Sequence, residues 1–183
     1  MKFLKISLWI LGLLLISLLL MLWYSGAFTT LKVEEKNSDQ YIVAGTLFTG
    51  AYYKVNTPMK HVDSLLQSIG IHTTQGFGIY YDDPKSTPME KCRSFVGNVL
   101  DTNSFSKLAE IQHAGLTIDT IESLPSVIIS LPTKTTLSYM IGPKRAYPAL
   151  VKYITKKQLK PTLAVEIYDV PKTTTLFIMQ VKK

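Results

Sequence analysis

Cysteine is almost missing from this chain of 183 residues: Cys92 is the only one. A lone cysteine excludes an internal disulfide and leaves the redox compartment open; it reads as a small buried apolar residue. Histidine is scarce too. His61, His72 and His113 fall on different segments without the spacing of a metal site. No Ser/His/Asp or Cys/His set can be assembled, and Gly76 and Gly78 around Phe77 lack the pattern of a phosphate loop. No metal or cofactor is therefore expected. Acidic residues thin out along the chain. Residues 27–124 carry eight basic and eleven acidic side chains, whereas from Pro125 onward ten basic residues face only Glu166 and Asp169. The imbalance reads first as a solvated helix face with a basic tail; the alternative is a basic face able to meet anionic lipid or another polyanion. Nucleic acid is not an expected partner, and no protein partner can be named.

What is abundant sits at the start. Residues 6–24 are almost uninterrupted Leu, Ile, Trp and Met, broken only by Ser7, Gly12 and Ser17. A run of this length is close to the ~20 residues that cross a bilayer core. Trp9 at one end and Trp23-Tyr24 at the other suit interfacial anchors. A secretory signal is the competing reading, because Ser25-Gly26-Ala27 has the small residues of a cleavage site. Such a core usually spans only ~7–15 residues. Residues 1–26 are thus expected to be a single transmembrane anchor. Lys2 and Lys5 precede it, while Lys32, Glu34, Glu35 and Lys36 after it cancel, which places the soluble domain on the extracytoplasmic side.

Beyond residues 27–40, read as a linker and the start of a first strand, the pattern occurs twice. Residues 41–48 are β-branched and aromatic, as in a strand. A helix follows, with Thr57 as N-cap, Pro58 at its first position and Gly70 past its end. Val62, Leu65, Leu66 and Ile69 form its apolar stripe. Gly78-Ile79-Tyr80-Tyr81-Asp82-Asp83-Pro84 then reads as a strand closed by an Asp/Pro turn, and residues 94–100 as another strand. The second half repeats this order: a strand over 126–131, a helix over 144–159 entered by Gly142-Pro143, the strand of Glu166-Ile167-Tyr168-Asp169-Val170-Pro171, and a last strand over 174–181. A short helix over 105–113 connects the halves. The expected fold is α+β: duplicated β-α-β-β repeats (about 41–100 and 117–183) related by a pseudo-twofold, antiparallel sheets with the helices on one side, after one transmembrane helix. A ligand groove is expected where the two sheets meet.

Residues two apart on a strand share a face, so Glu166 pairs with Tyr168 as Gly78 pairs with Tyr80. At this point the residues resemble a known family. Residues 80–84 with Thr87-Pro88-Met89-Glu90-Lys91-Cys92-Arg93, and the Glu166-Ile167-Tyr168 strand, resemble the two half-signatures of GyrI-like small-molecule-binding domains. The likeness spans residues 33–181, so residues 41–183 are expected to form such a domain. Residues 88–96 and 144–168 also resemble the testis-expressed ER-phagy receptor family. That family's C-terminal tail carries its autophagy-binding motif and has no counterpart up to Lys183, so an autophagy role is not implied. The receptor family holds its domain in the cytosol, opposite to the side the lysines favour. The turn 169–171 is one residue shorter than the superfamily pattern.

The resemblance implies that Glu166 is the groove glutamate that meets cationic ligands, with Tyr168 and Tyr80 beside it. Tyr139, Tyr147, Tyr53 and Tyr52 are candidate walls. The partner so implied is a small amphipathic or cationic molecule, drawn by ring faces and a counter-charge. Three alternatives stay open. Glu166 could pair with Lys144 or Arg145 and only hold the sheet. Some GyrI-like proteins hydrolyse strained cyclopropane compounds, and Glu166 with Tyr168 could supply such chemistry. The chain could also be a non-catalytic membrane adaptor, using Lys144, Arg145, Lys152, Lys156 and Lys157.

Overall fold

The computed structural model describes residues 2–182. The apolar run forms helix α1 (Lys2–Tyr24). Over Lys5–Tyr24 it is long and apolar enough to cross a membrane, with a mean hydropathy of 2.5 and no residue of its most apolar stretch buried in the protein. The remainder is an α+β unit built on one antiparallel eight-stranded sheet. Its strands are β1 (Val33–Asn37), β2 (Tyr41–Thr49), β3 (Gln75–Tyr80), β4 (Arg93–Val99), β5 (Thr117–Ile121), β6 (Pro125–Pro132), β7 (Lys160–Asp169) and β8 (Thr174–Lys182). Helix α2 (Asn56–Ser68) follows β2, α3 (Leu108–His113) links the halves, and α4 (Thr136–Lys156) follows β6.

The order β1-β6-β8-β7-β3-β4-β2-β5 reads alike from either end. Exchanging the repeats swaps β3 with β7, β4 with β8, β2 with β6 and β1 with β5. The two sheets expected from the sequence are therefore one sheet, and the repeats meet along the β3–β7 ladder. Each leading strand also crosses over: β1 pairs with β6, and β5 with β2.

Helices α2 and α4 pack on the same face, α2 over β2 and β4 and α4 over β6 and β8. Val62 and Leu66 of α2 join Ala44, Ile71 and Ile111 in one core. Ala146, Leu150 and Ile154 of α4 join Val127, Ile129 and Phe177 in another. The opposite face buries Val43, Phe77, Ile79, Phe95, Val165 and Ile167 without a helix over it, as a twisted sheet does when it curls on itself.

Three expectations need correction. Helix α4 begins at Thr136, not at Lys144. A reciprocal cap starts it: the Ser138 amide donates to Thr135 Oγ1, and the Thr135 amide to Ser138 Oγ. Pro143 and Pro148 lie inside the helix, each deleting one backbone bond. Gly142 presses against Phe177, where a Cβ would stand 2.9 Å from the ring. Helix α2 starts at Asn56 without a side-chain cap, so Thr57 is not its N-cap; Gly70 does close it, at φ +72°. Lastly, β1 is a complete strand of its own within the stretch read as a linker and the start of a first strand. Its Glu34-Glu35-Lys36 carries the charges that protect a sheet edge and hide a strand from hydrophobic patterning.

The chain between α1 and β1 is folded onto α4. Ser25 is 2% exposed. Its hydroxyl lies 2.9 Å from that of Thr135, and its carbonyl accepts from Ser138 Oγ at 2.9 Å. Arg145 donates from both terminal nitrogens to the carbonyls of Gly26 and Thr29.

Candidate functional site

Because α2 and α4 cover the flanking strands, the strip over β3 and β7 is left to side chains. Gly78 and Glu166 lie opposite one another in that ladder, so the pseudo-twofold passes between them. Tyr80 and Tyr168, two residues further along each strand, lean back toward this axis, and their hydroxyls meet at 2.9 Å. Glycine makes this possible. A Cβ on Gly78 would stand 2.8 Å from Tyr80 Oη, and one on Gly76 would stand 3.5 Å from the Tyr168 ring. The room beside Gly78 thus holds the ring of Tyr80.

Further aromatic rings frame this pair. Tyr52, in a short 3-10 turn before α2, packs edge-on to Tyr80 with centroids 4.7 Å apart. Its hydroxyl donates to the Asp82 carbonyl at 2.8 Å and accepts from the Asp82 amide at 3.0 Å. Tyr139 of α4 lies 6.0 Å from Tyr168. Tyr147 of α4 packs edge-on to Phe177 and donates to Glu166 Oε1 at 2.8 Å. Tyr168 donates to Glu166 Oε2 at 2.7 Å. With that proton committed to the carboxylate, Tyr80 donates to Tyr168, giving a relay Tyr80→Tyr168→Glu166.

Of the residues expected to form the site, Glu166, Tyr168, Tyr80, Tyr147 and Tyr139 come together. Tyr53 does not join them: it is 77% exposed, and its ring lies near Lys54. Its neighbour Tyr52 takes the inner place. Met59 was missed, although its methyl reaches the Gly76 floor. The offset of 88 that maps Tyr80 onto Tyr168 also maps Met59 onto Tyr147, so the duplication itself carried that signal.

Glu166 is 4% exposed and, among the described residues, makes no ion pair. Arg145 is spent on residues 26 and 29, and Lys144 is exposed. Burial raises the carboxyl above its usual 4.5, and the hydroxyls of Tyr168 and Tyr147 offset only part of that. Burial and the carboxylate together push Tyr80, Tyr147 and Tyr168 well above 10. An ionised Glu166 therefore faces neutral donors alone, and burying a charge this way costs several kcal/mol unless a cation repays it. The contrast with Asp169 is sharp. Burial also raises that carboxyl, yet Lys172 and Gln75 bring it below its usual value. A cavity of about 280 Å³ on the other sheet face is a different environment, with Lys32, Glu34 and Lys36 paired along its rim.

No family model matches the chain. It is similar to the testis-expressed protein 264 homolog of Mus musculus, 32% identical over 99 residues, covering 51% of this chain and 32% of the relative. It is also similar to testis-expressed protein 264 of Homo sapiens, 27% identical over 164 residues, covering 86% of this chain and 51% of the relative. The chain thus spans about half or less of these curated relatives.

Among solved structures, the crystallised C-terminal domain of EcmrR superposes with a TM-score of 0.57 at 15% identity, covering 85% of this chain and 99% of that one. The EcmrR–DNA complex gives 0.59 at 15% identity, over 98% of this chain and 69% of that one. A Vibrio cholerae integron cassette protein gives 0.51 at 13% identity, over 84% and 97%. These likenesses show the fold, which the chain shares with the C-terminal domain of EcmrR.

Proposed function

We propose that this is a membrane-anchored binding protein that takes small amphipathic cations in among the tyrosines around Glu166, the rings parting to form the cleft. The observation that carries the reading is a carboxylate buried to 4% exposure whose partners, among the described residues, are two tyrosine hydroxyls and no cation. Such a group lacks its counter-charge, and the rings of Tyr80, Tyr168 and Tyr139 offer a bound cation about 0.5–2 kcal/mol each. Anchoring is supported by the junction after α1. Cleavage at Ser25-Gly26-Ala27 would remove the buried Ser25 and partners of Thr135, Ser138 and Arg145. The test is equilibrium binding of rhodamine 6G, ethidium and a neutral aromatic of similar size to the full chain in lipid nanodiscs. Saturable binding of the cations alone is expected; no saturable binding, or equal binding of the neutral compound, overturns the reading.

A second reading is favoured by the relay Tyr80→Tyr168→Glu166. A buried carboxyl held above its usual range by burial and linked to two hydroxyls has the makings of a general base in a hydrolase. Tyr168→Phe distinguishes the two: a hydrolase loses turnover of a cyclopropanoid ester while still binding it, whereas a binding protein shows no turnover in either form.

A further inference from the structure

The chain leaving α1 is not a loose tether. Tyr24, the last residue of the apolar helix, lies with its ring 5.4 Å from Lys134 Nζ. Ser25 bonds to Thr135 and Ser138, which together cap α4. Gly26 and Thr29 are held by Arg145, about two helical turns further along the same face of α4. The end of α1 and the first turns of α4 are therefore fixed to each other. Next to Ser138 stand Tyr139, 46% exposed, and Met140, 61% exposed; Phe28 of the junction is 61% exposed. An amphipathic tyrosine, a methionine, a phenylalanine and a lysine where an apolar helix ends are the side chains that suit the lipid–water boundary.

Tyr139 belongs to both environments. Its ring packs 6.0 Å from Tyr168, whose hydroxyl lies 2.7 Å from Glu166. Tyr139, half-exposed on the first turn of α4, thus stands one ring away from the tyrosine that donates to the buried carboxylate. Amphipathic cations concentrate in the headgroup layer, since their rings seek hydrocarbon and their charge stays at the surface. Resting on the reading of the cleft given above, we propose that it loads from the membrane side: a lipophilic cation already partitioned into the bilayer passes Tyr139 and meets Glu166 without crossing bulk water. The clamp of Ser25, Gly26 and Thr29 on α4 is what keeps that mouth at the lipid surface.

The experiment uses the full chain in nanodiscs containing brominated phosphatidylcholine, with Trp9 and Trp23 replaced by phenylalanine. Single tryptophans are then placed at exposed positions: Met140→Trp beside the mouth and Leu47→Trp on β2. Strong quenching at 140 with little at 47 is expected; equal quenching at both, or none at 140, overturns the membrane-side mouth. A flexible Gly-Ser insertion after Ala27 is expected to slow rhodamine 6G loading from the bilayer several-fold while leaving its equilibrium fluorescence shift in place. Unchanged loading in a folded insertion variant also overturns the proposal. Glu166→Gln separates the two readings. If rhodamine binding survives it, the cleft reading fails whatever the quenching shows; if binding is lost but position 140 is not quenched, only the membrane-side mouth fails.

Discussion

Glu166→Gln keeps the shape of the side chain and removes its charge, so it isolates the effect on which the site reading depends. In the native protein both carboxylate oxygens accept from tyrosine, Tyr147 at 2.8 Å and Tyr168 at 2.7 Å. The amide keeps one acceptor; its NH₂ must face the other hydroxyl, which turns to accept. One charge-assisted bond is lost, worth about 1.5–3 kcal/mol. Against that, a buried charge without a cation disappears, a gain of similar size. Folding stability at neutral pH should therefore stay within about 1 kcal/mol, a melting shift of roughly 2–4 °C. Binding should respond far more. A cation about 4 Å from the carboxylate gains ~4 kcal/mol at an effective dielectric of 20. Desolvating both partners takes back part of this, leaving about 1.5–3 kcal/mol and a roughly 10- to 150-fold loss of affinity in the variant. Because burial raises the folded-state pKa of Glu166 above 4.5, the folded chain holds its proton more tightly than the unfolded chain. The wild type accordingly loses stability as pH rises from about 4.5 through the raised value, while the glutamine variant does not share that decline. Cation affinity runs the other way, increasing with pH over the same window. Calorimetric titration and thermal melts across roughly pH 4 to 8 check all three. Unchanged cation affinity, or a melting point lowered by more than ~10 °C, would refute the reasoning, the second because it would make Glu166 a structural keystone.

Two glycines in the same sheet should behave differently. Gly97→Ala drives a Cβ to 2.2 Å from the Ala44 carbonyl and 2.6 Å from Gly45 Cα; both obstacles are backbone, so a loss above ~3 kcal/mol is expected in urea unfolding. Gly78→Ala meets only the movable end of Tyr80, so stability should fall by less than ~1.5 kcal/mol while cation binding weakens as the Tyr80–Tyr168 contact opens. Arg145→Ala removes the guanidinium donor from the carbonyls of Gly26, which keeps the Thr29 amide, and of Thr29; a loss of about 1.5–3 kcal/mol and faster protease nicking after Ala27 are expected. Charge reversal at the exposed Lys156 and Lys157, at the far end of α4 from Tyr139, should leave rhodamine affinity unchanged; a marked change would favour a role for the basic face.

Much of the fold is written in local signals. The stripes of α2 and α4 mark the residues that became core, and the repeated Tyr-bearing strands mark the two halves of the central ladder. What local patterning missed has physical causes. Gly142-Pro143 looks like a helix start because proline suits a first turn, yet the reciprocal cap at Thr135 and Ser138, held by the distant Ser25, carries the helix through both prolines. That support lies more than a hundred residues away in sequence. Tyr52 and Tyr53 are indistinguishable by neighbours; only the tight turn before α2 decides that Tyr52 faces Tyr80. Whether Glu166 has a cationic partner was likewise undecidable from composition, since ten basic residues lie in its half, and the tertiary fold aims none of the nearby ones at it.

The duplication also explains why the site holds one carboxylate and not two. A position on a pseudo-twofold is presented twice, by strands whose facing Cα atoms lie only about 4.5–5.5 Å apart. Two glutamates there would put like charges in contact inside an apolar cleft, and one would stay protonated. Two glycines would leave the tyrosines nothing charged to hold. Glycine at 78 and glutamate at 166 break the symmetry at the only point where the repeats coincide: Gly78 yields its space to Tyr80, which braces Tyr168, which donates to Glu166. One half supplies the room and the other the charge. Gly78→Glu in the Glu166→Gln background tests this directly: a side chain at 78 would displace the Tyr80 ring, 2.8 Å from its Cβ, so the moved carboxylate should not restore cation affinity, and restored affinity would show that the two halves are interchangeable.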